Sequence, residues 1–137
     1  MDLLRARGFD VSGFDPEQMT SADDVYVFPN VVGPIYPGSA ILFRMRPDGR
    51  DPDRTIKDTW VLEWPRPGSD WHMPTRHFHE DWTEHDWGPI TTQDYENMAR
   101  VQQGMKSRGF DALRLNPRQE SNLLHMHDVI DEYLGPS

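Results

Sequence analysis

A chain of 137 residues has room for one domain, or a piece of one, built around a single core. Its 23 acidic and 14 basic side chains leave a net charge of −9, which disfavours nonspecific attraction to nucleic acid or to an anionic membrane surface. A hydrophobic share of 36% is low for a globule, yet five Trp, six Phe and four Tyr are too many for a disordered chain, so a folded unit with a thin core is expected.

The absence of cysteine excludes a disulfide, a thiolate nucleophile and a thiolate-held iron–sulfur cluster within this polypeptide. No stretch approaches the roughly 20 apolar residues of a membrane-spanning helix. The N-terminal run Met1-Asp2-Leu3-Leu4-Arg5-Ala6-Arg7 has no long apolar segment after its charges, so neither membrane insertion nor export is expected, and the chain reads as cytoplasmic.

Residues 1–23 form a variable lead-in, and residues 24–64 read as antiparallel strands. Three extended segments are expected: Val25 to Tyr36, Ser39 to Arg46, and Thr55 to Trp64. In the third, Ile56, Trp60, Leu62 and Trp64 share one face, with Lys57, Thr59 and Glu63 on the other, the period of two of a strand with one wet side. Pro37-Gly38 and the run from Arg46 to Asp53 are turn formers, and connections this short make a meander rather than a parallel sheet. Trp60 and Trp64, on the inward face, are expected to fill the core.

Residues 65–90 lose all period and read as an irregular loop rich in Trp, His, Pro and acids. A helix over 91–109 is expected next, with Thr91 or Thr92 as N-cap, Asp94 and Glu96 in its first turn and Gly109 after its end. Gly104 in its interior suggests close packing against a neighbour. A second helix over 116–135 opens on an Asn116-Pro117-Arg118-Gln119 capping box, carries Leu123, Met126, Ile130, Tyr133 and Leu134, and stops at Gly135-Pro136. The order implies an α+β unit, an antiparallel sheet with C-terminal helices on one face.

Asp94 is the most informative residue. At helical spacing it shares a face with Asn97, Met98, Val101 and Met105, which turns its carboxylate toward the apolar side, where a charge needs a partner. A metal ion would supply one; capping the first turn of its own helix is the other role open to it.

The segment from Gly88 to Phe110 resembles the part of Rieske non-haem iron ring-hydroxylating oxygenase large subunits that carries the carboxylate ligand of the mononuclear iron, with Asp94 in the ligand position. Val27-Phe28-Pro29-Asn30, the hairpin Arg46 to Asp53, Gln119-Glu120, His125-Met126-His127 and Tyr133-Leu134 extend the likeness over about Asp23 to Leu134. The resemblance implies the C-terminal part of a helix-grip catalytic domain that hydroxylates an aromatic or related hydrophobic compound with O₂. Asp94 would join two upstream His on Fe(II). A [2Fe–2S] cluster in a separate N-terminal domain, ferredoxin or reductase donors fed from NAD(P)H, and a homotrimer of the full-length protein are implied as well. Pro89 and Ile90 would border the substrate cavity.

Because the implied His pair lies before this chain begins, activity of the chain alone is not expected. His72 and His77 copy the pair's spacing, with His79 and His85 nearby, but they fall in the variable loop, beyond the strands they should precede, and read as solvated surface. His125 and His127, two apart on a helix, cannot face one ligand together. Two alternatives stand beside the enzyme: a non-catalytic module that binds a small hydrophobic molecule, and an inactive truncated product.

Overall fold

The computed structural model describes residues 2–70 and 72–135. The chain divides into two compact units, Met1–Trp71 with Leu115–Ser137, and His72–Arg114. Pro136, expected just past the last helix, lies outside the described residues.

The first unit holds a short helix α1 (Asp2–Ala6), four strands, β1 (Asp23–Val27), β2 (Val31–Tyr36), β3 (Ser39–Pro47) and β4 (Thr55–Glu63), and a late helix. The strands form one antiparallel sheet in chain order, β1-β2-β3-β4. With helices added, the class is α+β as expected. The first extended segment is two strands rather than one, because the chain turns at Phe28-Pro29-Asn30. Proline's missing N–H cannot serve a ladder there. Asn30 completes the turn by accepting from the Met45 N–H at 3.2 Å and donating its side-chain amide to the Met45 carbonyl. Tyr26 Oη donates to the Pro29 carbonyl at 3.1 Å.

Register follows turn chemistry. Gly38, at φ 83°, supplies the left-handed residue that closes the β2–β3 hairpin and accepts from the Trp64 N–H at 2.9 Å. Gly33 answers a different need, since a Cβ on it would lie 1.9 Å from the carbonyl oxygen of Ile41 on β3. The pairing then places Ala40, Leu42, Arg44 and Arg46 beside Leu62, Trp60, Asp58 and Ile56. On the opposite face the Lys57 ammonium stands 4.1 Å above the Phe43 ring.

The expectation that Trp60 and Trp64 fill the core is corrected: they remain 38% and 42% exposed. Trp60 carries the Arg44 guanidinium at 5.1 Å, and Trp64 meets the Phe9 and Phe14 rings of the lead-in at 5.8 and 6.0 Å. Neither face of β4 is closed off: Leu62 on the side of the tryptophans is 48% exposed and Val61 on the other 66%. Burial concentrates instead at Val11 and Ala40.

The late helix, α3 (Ser121–Leu134), starts after the Asn116 box rather than on it. Asn116 caps as expected, its Oδ1 accepting from the Arg118 and Gln119 N–H groups at 2.9 and 3.3 Å, but the side chain that returns to the Asn116 N–H is Glu120, by Oε2 at 2.6 Å, in place of Gln119. Tyr133 stacks on Phe28 at 5.2 Å.

The second unit comprises an extended loop, a 3₁₀ turn at Trp82–Glu84 and helix α2 (Gly88–Met105). Proline in the first turn and Trp87 as N-cap start α2 earlier than Thr91 or Thr92, and it ends at Met105 with Lys106 as C-cap, short of Gly109. A Cβ on Gly104 would meet nothing within 4 Å, which corrects the expectation of close packing. Gly104→Ala is accordingly expected to stabilise α2 by about 0.5–1 kcal/mol, read as a higher midpoint in thermal unfolding.

Candidate functional site

The early start of α2 bears on the capping role read for Asp94. With Gly88 as the first helical residue, Asp94 lies beyond the first turn, which carries no acidic residue, and it cannot cap the helix that bears it. It is exposed, and Met98, Val101 and Met105, its row at helical spacing, are 47%, 49% and 46% exposed. The carboxylate therefore stands at one end of a half-open apolar row. Pro89 and Ile90 lie in the first turn of α2, and both are exposed.

Tyr95 is the anchor of this helix, 6% exposed. The Trp82 and Trp87 rings meet it edge-on at 5.7 and 5.5 Å. Trp87 Nε1 donates to the Trp82 carbonyl at 2.6 Å, and Asp86 Oδ1 accepts from the Gly88 N–H at 2.9 Å, so loop and helix start are tied together. Asp81 braces the 3₁₀ turn by accepting from both the N–H and the Oγ1 of Thr83 at 2.8 Å, which hold its carboxyl below the usual range. Sequence reading missed this cluster. The signal was there in Trp82 and Trp87 just ahead of a helix whose second turn carries Tyr95, but without period in the loop it could not be placed.

Of the loop histidines, His79 and His85 stack at 4.7 Å, with the Trp87 ring edge-on to both at 5.5 and 4.6 Å, while His72 and His77 are exposed. His125 and His127 sit exposed on α3. Among the described residues no three His, Cys, Asp or Glu side chains come together as a metal site. The described residues therefore do not supply a full ligand set for iron.

The first unit also holds an open cavity of about 420 Å³ with mostly apolar walls, among them Phe14, Ile35, Tyr36, Ala40, Leu62 and Trp64. Elsewhere on the sheet, Asp58 accepts from the Nε and Nη2 atoms of both Arg44 and Arg46 at 2.8 to 3.1 Å. Hydrogen bonding from Arg46 first, then Arg44, holds its carboxyl at about 2.

The family model for the ring hydroxylating alpha subunit (catalytic domain) matches residues 8–136, and the chain belongs to that family. A search of curated proteins and a search of solved structures each returned no match. The family is that of ring-hydroxylating oxygenases, oxidoreductases whose alpha subunits generally hold non-haem iron and a Rieske cluster. No described helix is long and apolar enough to cross a membrane.

Proposed function

We propose that this chain is the C-terminal part of an oxygenase catalytic domain and that Asp94 is its contribution to the mononuclear iron, the other protein ligands coming from outside these residues. The carrying observation is the place of Asp94 on α2: exposed, past the first turn, and without the capping role that would otherwise account for it. A bound ferrous ion would activate O₂ for insertion into an aromatic or related hydrophobic substrate, with electrons arriving through a Rieske cluster from ferredoxin or reductase partners. The residues of this chain would fix one corner of that site and, through Pro89 and Ile90, border the substrate. A full-length homotrimer fits the same reading.

The test joins the chain to a His-bearing upstream segment and a Rieske domain of the family. Asp94→Ala is expected to lower iron per protomer at least tenfold, by elemental analysis, and to abolish turnover, with Asp94→Glu retaining part of the iron. Unchanged iron content in Asp94→Ala would defeat the assignment.

The 420 Å³ cavity favours a second reading, a module that holds a small hydrophobic molecule without chemistry. It is expected to show itself as saturable binding of an aromatic probe by the iron-free chain, lost in Trp64→Ala. Binding that survives this substitution would remove the cavity from consideration.

A further inference from the structure

The loop histidines read from sequence as solvated surface, yet two of them meet. His79 and His85 lie on either side of the 3₁₀ turn at Trp82–Glu84, with ring centres 4.7 Å apart and ring planes at 30°. Trp87 holds both. Its ring stands edge-on to His79 at 5.5 Å and to His85 at 4.6 Å, while its Nε1 is tied to the Trp82 carbonyl and its ring packs on Tyr95. Glu84 braces the same turn by accepting from the Glu80 N–H at 3.1 Å. Every one of these contacts falls inside the unit His72–Arg114, between residues close in sequence, so the pair is built locally.

Burial does not account for the pairing, since His85 is exposed and His79 only half-buried. A shared ion does. With metal–nitrogen bonds of about 2.0–2.1 Å, two imidazoles on adjacent positions of one ion carry their ring centres roughly 4.5–5.2 Å apart, and this pair already has that spacing. Turning a ring about its Cβ–Cγ bond aims a nitrogen into the gap and leaves the ring centre almost in place. The surroundings favour positive charge, because Glu80, Asp81, Glu84 and Asp86 stand between residues 79 and 87 with no Lys or Arg among them. Imidazole suits a borderline ion such as Zn²⁺ or Cu²⁺, whereas Mg²⁺ and Ca²⁺ prefer oxygen. Among the described residues no group of three His, Cys, Asp or Glu forms a metal site, which leaves the remaining positions to water.

We propose that His79 and His85 form a two-imidazole site for a divalent transition-metal ion, which clips the loop to the start of α2 through Trp87. The site is separate from Asp94 and involves no iron. Calorimetric titration of the chelator-stripped full chain with Zn²⁺ is expected to show one ion per chain with a Kd of about 10–100 µM, undisturbed by excess Mg²⁺, and Cu²⁺ should bind more tightly. His79→Ala and His85→Ala are each expected to weaken zinc at least tenfold, whereas the pairs His72→Ala/His77→Ala and His125→Ala/His127→Ala leave it unchanged. A second measurement needs no substitution: zinc should shift the side-chain ¹⁵N resonances of His79 and His85 alone among the six histidines. Absence of saturable zinc binding up to about 1 mM overturns the proposal, as does binding that survives both single substitutions or that shifts other histidines in their place.

Discussion

Gly33→Ala is expected to cost about 3–5 kcal/mol, the largest effect among the glycines of this chain. The new Cβ would lie 1.9 Å from the Ile41 carbonyl oxygen and 3.0 Å from both the Ile41 carbonyl carbon and the Leu42 Cα, all backbone atoms of the central strand β3. Flexible side chains can swing away from such a clash; a strand hydrogen-bonded on both sides cannot. At φ 154° the residue also sits where L side chains are rarely found. Urea unfolding followed by circular dichroism measures the loss, and Gly13→Ala, where a Cβ meets nothing within 4 Å, should stay within about 0.5 kcal/mol of wild type. Equal midpoints for the two variants would show that β2 and β3 do not approach as described.

Acid should weaken the sheet through Asp58. Its carboxyl, 12% exposed, is held at about 2 against an ordinary 3.8 by Arg46 and Arg44. A carboxyl depressed by folding stabilises the native state above its unfolded value, so the contribution is complete above roughly pH 4 and disappears as the pH falls toward 2. Both arginines are more than a third exposed, and water screens the pair, leaving about 1–2 kcal/mol. Asp58→Asn is expected to lose that amount at pH 7 and to flatten the stability profile between pH 4 and pH 2. Denaturant midpoints at pH 7, 4 and 2.5, compared between wild type and variant, provide the check. Parallel profiles would mean that Asp58 titrates as an isolated carboxyl.

Period and turn chemistry made the sheet legible. The two-residue alternation from Thr55 placed β4 to within a residue, and Pro37-Gly38 located the hairpin before it. The break at Phe28-Pro29-Asn30 was hidden because apolar residues run on through it, and alternation cannot distinguish one bent strand from two. The start of α2 was misplaced because threonine is a better N-cap than tryptophan by side-chain chemistry, whereas the chain begins its helix at Gly88-Pro89, where proline needs no donor. That shift mattered to the site, since it removed the capping role that competed for Asp94. Burial was the least legible property: composition foretold a thin core, but nothing in the spacing of Trp60 and Trp64 could say whether another layer would reach them.

Consecutive residues of a helix diverge by about 100° around its axis, so fixing one side chain sets the heading of the next. Tyr95, clasped by two tryptophans, is such a pivot, and its immediate predecessor is Asp94. The compass direction of that carboxylate is thus governed by indole rings in the adjoining loop, and exchanging Trp82 or Trp87 for a small residue would let the helix roll without altering any atom of the acid itself.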